Sequence, residues 1–561
     1  MGFIVKQKKR GDSVHIYLAE SHFVAGKGSR QSRTYLGVLS IDGTELFVGE
    51  RHETLITEDV IKLLEKKGIA FHGKQANPPG RRIGDTNGKE IAPRINRKSI
   101  ALCSSFEHGR LDLLKELVRQ SHLEHCTFAA FGEDLALTIL ALAEYQVCEG
   151  APLYLASEWC HETGQSLNLS SPTISRVLDA LGKSEASINS FFQLWIKANN
   201  YPTSLVHDTT SISSYSETID DLEWGYNRDH ERLPQLNIAM VADRVTRVPI
   251  WYRVLPGSIP DVSTLKKTSD IVSSLGITRF TFFLDRGFFS KSNVIAMLNA
   301  KIDFILGVPC HLKHSQDIIK AHYNKLQETE NLILYDGSRY RYTSLPYPVI
   351  FDDRHSENVS GHLFLDVDRR DSQVKKLETG IAEVYSKARD LVFSDDTSAK
   401  NWIDDNAGPL AKYLVVVESN KIYTVAMNST TITKDSERCG LVLLIGGAHP
   451  SRPEQVLSDY RSRDVVEKVF DKLKNGVGFD RIRCSGNYNS SGRIFIAFIA
   501  TILRSILESR LRKSGLLGKY SVDEALAVLK RIRSTTLPNG KLVSREIPAK
   551  CREILEACST P

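Results

Sequence analysis

The 561-residue chain lacks any apolar run of about 18 residues, so no membrane-spanning helix is expected. Its start, MGFIVKQKKRGDS, lacks the apolar centre of a secretory signal. Lys6 stands where N-myristoylation after Gly2 wants Ser or Thr. Nine cysteines occur without one Cys-x-x-Cys pair, which argues against a disulfide framework and for reduced thiols in a cytoplasm. His122, His125 and Cys126 lie close together but read as surface and core, not as zinc ligands. No internal repeat is found. What is present is 41% apolar residues, enough for sizeable cores, and length for three or four domains of ~150 residues.

Net charge is only +6, but it is unevenly placed. Residues 1–100 carry 18 Lys and Arg against 11 Asp and Glu; residues 504–561 carry 12 against 6; the middle is therefore at −7. Basic ends around an acidic middle suit a polyanion held by flanking modules, with carboxylates kept for metal. Ordinary solvated charge fits the same balance.

Along the chain, 1–73 alternates apolar and polar residues ("VHIYLAE", "RTYLGVLSIDG") and predicts a small β-rich module, with a helix from Thr57 stopping near Gly68. Residues 74–105 read as a basic linker, rich in Pro and Gly, that either lies along a nucleic-acid backbone or is a plain tether. Residues 106–200 are helical in pattern; "LNLSSPTISRVLDALGKS" predicts a helix capped by Ser171 with Pro172 in its first turn, a candidate for entering a DNA groove. From 201 to 310 the order is β-β-β-α-β-α-β, with helices starting at Asp261 and Ser290. Residues 311–440 break that rhythm and read as an inserted α+β domain; 441–515 resume the core, and 516–561 form a basic helical tail.

Two aspartates interrupt or end apolar strands: Asp208 in "LVHDTTSI" and Asp285 closing "FTFFLD", where Gly287 allows a sharp turn. A charge there is costly unless paired or metal-bound. "DYRSRDVVEKVFDKLK" (459–474) reads as one amphipathic helix. At about 100° per residue, Tyr460, Arg463, Glu467 and Lys474 share one narrow arc, opposite Val465, Val466, Val469, Phe470 and Leu473. Three carboxylates, Asp208, Asp285 and Glu467, suit Mg²⁺ or Mn²⁺, and such ions serve phosphodiester chemistry. Taken singly, each carboxylate reads as a surface ion pair.

The spacing Tyr-x₂-Arg-x₃-Glu-x₆-Lys at 460–474, Asp208 followed by Thr210, and Asp285-Arg286-Gly287-Phe288 resemble a DDE transposase of bacterial insertion sequences, in insertion-sequence family four and its sister groups. "LPGSIPDVSTL" resembles the family's Pro-Gly-Asn segment, with Ser258 in place of Asn. The resemblance covers about 200–510 well and 105–200 loosely. It implies a ribonuclease-H-like mixed sheet with helices on both faces, interrupted by an inserted domain between Asp285 and Glu467. It also implies a metal-dependent enzyme that cleaves double-stranded DNA at transposon inverted repeats and joins the 3′-hydroxyl to target DNA. Expected with it are a homodimer on DNA, Asp208, Asp285 and Glu467 as ligands of Mg²⁺ or Mn²⁺, and Tyr460, Arg463, Lys474, Thr210 and Arg286 as DNA contacts. Trp402 and "SRYRYTS" (338–344) are candidates for handling a hairpin intermediate. The expected location is a bacterial cytoplasm, with the nucleoid. A regulator that kept the fold but lost the reaction, and a nuclease that never joins strands, are the competing readings.

Overall fold

A computed structural model describes residues 2–8, 14–24, 28–40, 43–48, 50–71, 103–260, 263–351, 356–446 and 452–559. Asp261 and the basic stretch 74–98 lie outside them. The chain divides into two compact units, Met1–Asn96 and Arg97–Pro561.

The first unit is an antiparallel sheet in the order β1 (Gly2–Lys8), β2 (Val14–Val24), β3 (Gly28–Leu39), β4 (Leu46–Phe47). Alternation brings Ile4, Ile16 and Leu36 to one face, where Val60 and Leu64 of the helix Glu58–Glu65 cover them. Thr57 is that helix's cap position, although its side chain makes no capping bond.

In the second unit, β5 is Ser104–Glu107 and a large mixed sheet follows. Its strands are β6 (Ser204–Ser214), β7 (Gln235–Asp243), β8 (Pro249–Pro256), β9 (Thr281–Leu284), β10 (Asp303–Val308), β11 (Leu332–Tyr335), β12 (Ser338–Ile350) and β13 (Ser356–Asp366). After a separate hairpin, β14 (Leu414–Ser419) and β15 (Ile422–Met427), come β16 (Leu441–Gly446) and β17 (Arg481–Ile482). The spatial order is β11-β12-β13-β16-β10-β9-β6-β7-β8, with β17 also on β6. β6 runs parallel to β9 and antiparallel to β7. Every position of β7 is buried, as its continuous run "QLNIAMVAD" requires.

Within 311–440, β11, β12 and β13 therefore extend the main sheet. The helices Val367–Ala388 and Asp396–Ala407 close with β14 and β15 around a small core of their own, including Ala388, Ile403, Leu414 and Val425. Trp402 packs on that core, 6.3 Å from Phe393. Tyr340 of "SRYRYTS" is buried in the main sheet, donating to Asp366 at 2.8 Å.

The helical segment shares one core with the sheet. Phe191 and Phe192 of Glu185–Ala198 lie 5.2 and 5.7 Å from Phe495 and Phe498 of the long helix Asn487–Lys513, and Phe498 lies 4.9 Å from Tyr252 on β8. The helix Ser171–Lys183 starts one residue earlier than expected: Ser170, not Ser171, is the cap position, and Pro172 sits in the first turn. Its Gly182 and Leu178 press so closely on Tyr488 and Gly492 that a Cβ at either glycine would strike backbone.

The C-terminal segment is not purely helical. β18 (Arg533–Thr536) pairs with both β19 (Leu542–Ser544) and β5, tying residues some 430 positions apart. Pairing so distant in sequence leaves no local signal.

Candidate active site

The site begins at an interruption beside β6. On the flank away from β7, pairing with β9 ends at Val206 opposite Phe283, and pairing with β17 resumes only at Ser213. Asp208 and Thr210 fall in that gap. Continued two residues past Val206–Phe283, the parallel register would set Asp208 opposite Asp285. Asp208 stands two residues past the last β6–β9 pair on β6, and Asp285 two residues past it on the β9 side. Asp285 follows the last residue of β9, and a short turn at Arg286–Phe288 carries the chain away.

The third carboxylate arrives on a broken helix. The expected single helix 459–474 is instead Pro453–Arg461, a turn at Ser462–Arg463, then Asp464–Asp471, ending in a π-helical turn at Lys472–Gly476. The apolar face holds as expected: Val465, Val466, Val469 and Phe470 are buried. The break falls at Arg463, whose backbone stays helical while its side chain reaches both Glu467 and Asp285. Its Nη2 lies 3.4 Å from Asp285 Oδ1 and its Nη1 3.1 Å from Glu467 Oε1, so one guanidinium bridges two of the three carboxylates. The same group stacks over the Tyr460 ring at 4.9 Å, and the Tyr460 hydroxyl reaches Asp285 Oδ1 at 3.5 Å. Burial acts to lower the Arg463 guanidinium, but Tyr460, Asp285 and Glu467 outweigh it and hold it above its ordinary value. Burial pushes the Tyr460 hydroxyl up. Arg463 Nε is buried without an acceptor, so this pairing satisfies the group only in part.

Asp285, Arg286, Tyr460, Arg463 and Glu467 line one cleft of about 410 Å³, together with Arg369 and Arg438. Lys474 is not among its walls. The π-helical turn directs it to Asp229, 2.5 Å away. That turn is anchored from below by Lys472, which is buried against Glu508 of the long helix at 2.7 Å. Thr210 lines a neighbouring cleft of about 310 Å³ with Arg228, Ser258 and Gly287. Asp208 accepts from Arg228 Nη1 and Nη2 at 3.2 and 3.1 Å.

Among the described residues no group of three or more His, Cys, Asp or Glu is arranged around a ready-made metal position. The donor chemistry nonetheless suits a hard divalent cation: a carboxylate on β6, one directly after β9, and a third linked to the second through Arg463. Guanidinium groups meet these oxygens: Arg228 at Asp208, and Arg463 at Asp285 and Glu467.

Three supporting residues escaped the sequence reading. Arg244, just after β7, pairs with buried Asp459 at 2.8 Å and lies over the Phe283 ring at 4.6 Å, fixing the Tyr460 helix to β9. Gly307 on β10 gives Tyr460 its room: a Cβ there would lie 2.6 Å from the Tyr460 hydroxyl. A lone glycine inside "DFILGVP" was the available signal, since such a glycine marks close approach of another group. Arg228 carries no such mark.

Residues 202–503 match the family model described as the transposase DDE domain. That is over half of the chain, and the protein belongs to this family of DDE transposases. No curated protein matches it. Among solved structures, it is similar to a chain in the cryo-EM structure of the piggyBac transposase synaptic complex with hairpin DNA, at 10% identity and a TM-score of 0.29. That alignment covers 69% of this chain and 58% of the other. Among the described residues no helix is long and apolar enough to cross a membrane.

Proposed function

We propose that this transposase cuts phosphodiester bonds at inverted-repeat ends of an insertion sequence of the family-four type and joins the freed 3′-hydroxyl to target DNA, as a homodimer on DNA in a bacterial cytoplasm. The core is read as ribonuclease-H-like, with the small core within 367–440 as its insert. The observation that carries this reading is the Arg463 guanidinium bridging Asp285 and Glu467, with Asp285 directly after β9 and Asp208 on the adjacent strand β6.

Asp208, Asp285 and Glu467 would hold Mg²⁺ or Mn²⁺, which supplies activation of the attacking oxygen and stabilisation of the leaving one. The chain's own groups do the rest. Arg463, released from the carboxylates, is suited to a bidentate grip on a phosphate. Tyr460 donates one hydrogen bond beside Asp285. Arg286, Arg369 and Arg438 make the cleft wall attractive to a polyanion. Lys474 and Thr210 meet the backbone on the neighbouring side.

The test is cleavage and strand transfer on DNA carrying the element's own ends. Glu467→Gln should bind that DNA and neither cut nor join it. A parent protein that cuts but never joins would make it a nuclease; one that binds and does neither would make it a regulator.

A further inference from the structure

The loop between β6 and β7 sets opposite charges against site residues on both sides of the gap. Arg228 forks onto Asp208 at 3.1 and 3.2 Å, and the next residue, Asp229, lies 2.5 Å from Lys474 Nζ. Two residues on, Glu231 pairs with Arg481 of β17, whose guanidinium lies over the Tyr215 ring at 5.1 Å. The alternation of sign follows the site: a cation against the carboxylate, anions against the two bases.

The loop is built rather than loosely draped. Asn227 Oδ1 accepts from the backbone N–H of Asp229 at 2.8 Å and of Glu231 at 3.3 Å, and its amide donates to Ser213 Oγ at 3.0 Å. The Arg228 N–H donates to Ser211 Oγ at 3.1 Å. These bonds hold the backbone at Arg228 and Asp229 in one small frame, so a shift of that frame carries both side chains. Lys474 is left with only 13% of its side chain exposed. Arg481 and Ser213 hold the Glu231 carboxyl below its usual range, so it stays anionic.

We propose that Tyr226–Glu231 is a self-occupying loop: Arg228 takes the place of a divalent cation at Asp208, while Asp229 takes the place of a DNA phosphate at Lys474. The inference rests on the assignment of Asp208 to metal and Lys474 to phosphate. Its consequence is coupling. A phosphate at Lys474 displaces Asp229, the frame shifts, and Arg228 leaves Asp208. DNA then raises affinity for the cation, and the cation raises affinity for DNA by the same factor. Ion loading without DNA is disfavoured, which limits stray cutting.

Mn²⁺ binding to the DNA-free full chain, read from the electron paramagnetic resonance of free Mn²⁺, tests one arm. Arg228→Gln should bind Mn²⁺ about fivefold more tightly or better, and Arg228→Lys should stay near the parent. A folded Arg228→Gln that binds Mn²⁺ no tighter than the parent overturns the proposal. The other arm needs no metal. In EDTA, Asp229→Asn should bind a mixed-sequence duplex several-fold more tightly, and that gain should vanish in a Lys474→Ala background. A gain of equal size with Lys474 absent would reduce it to net charge and overturn the proposal. Asp208→Asn separates the two failures. If it binds Mn²⁺ as the parent does, the metal assignment itself falls. If it loses Mn²⁺ while Arg228→Gln gains nothing, only the loop's role falls.

Discussion

Arg244 donates to Asp459 Oδ1 at 2.8 Å, joining the end of β7 to the helix that carries Tyr460. Asp459 is buried, and Arg244 is one-fifth exposed. Removing one partner leaves the other charge without its match. Arg244→Met should cost ~2–4 kcal/mol of stability, near the lower end for buried pairs because one partner meets water. Denaturant melts would show it. DNA cleavage should fall by more than the unfolded fraction explains, because the helix is displaced too.

Gly307→Ala should impair cleavage by moving Tyr460, with an overpacking cost of ~1–3 kcal/mol. Tyr460→Phe alone should be mild, about 0.5–1.5 kcal/mol for one lost hydrogen bond. Combined with Gly307→Ala it should partly restore activity, because the hydroxyl is the nearest obstacle. A double variant as inactive as Gly307→Ala would place the clash elsewhere.

Lys474→Ala should weaken DNA binding and lower the dependence of log K on log salt by about one. Arg463→Ala should lower cleavage while Mn²⁺ binding persists or tightens, since Asp285 and Glu467 lose a competing cation. Titrations of DNA and of Mn²⁺ on the same variants check both.

Burial lifts the Glu144 carboxyl from its ordinary value to about 8. Below the unfolded value, near 4.5, both states hold the proton and nothing is lost. Between there and about 8 the unfolded chain releases it while the folded chain keeps it, so stability declines with rising pH and levels off above. Glu144→Gln should therefore leave stability unchanged near pH 4 and raise it by about a few kcal/mol at pH 8. Melting curves across that range decide it.

Deleting everything before residue 201 should not give a folded catalytic fragment. It strips Phe191 and Phe192 from Phe495, Phe498 and Tyr252 and uncovers the long helix. Such a fragment should aggregate or bind hydrophobic dyes; a cooperative melt from it would contradict the shared core.

Asp285 and the apolar side of the Glu467 helix were legible because local pattern decides them: a strand that ends in Asp-Arg-Gly, and valines at helical spacing. The turn at Ser462–Arg463 was not, because no residue of the local pattern marks it, and the Asp285 that Arg463 meets lies 178 positions earlier. Lys474 shares Glu467's arc on an ideal helix, but the π-helical turn and Asp229 redirect it. Burial of β12 and β13 in the main sheet depends on β16, whose sequence position gives no hint of its neighbours. Arg228 stands in a loop whose local sequence carries no sign of its partner Asp208, 20 positions earlier.

The gap beside β6 has a consequence for how this gene can change. β7 holds β6 along nearly its whole length, so the strand's position is not free to adjust. One residue inserted or deleted between Ser204 and His207 cannot satisfy both neighbours: either Asp208 turns over against β7, or the stretch before it turns over against β9. Substitutions there alter packing by degrees; a change of length breaks the pairing with β7 or with β9 at a stroke. A library of single-codon insertions and deletions across β6 should therefore be far less tolerated than a library of apolar replacements at the same positions.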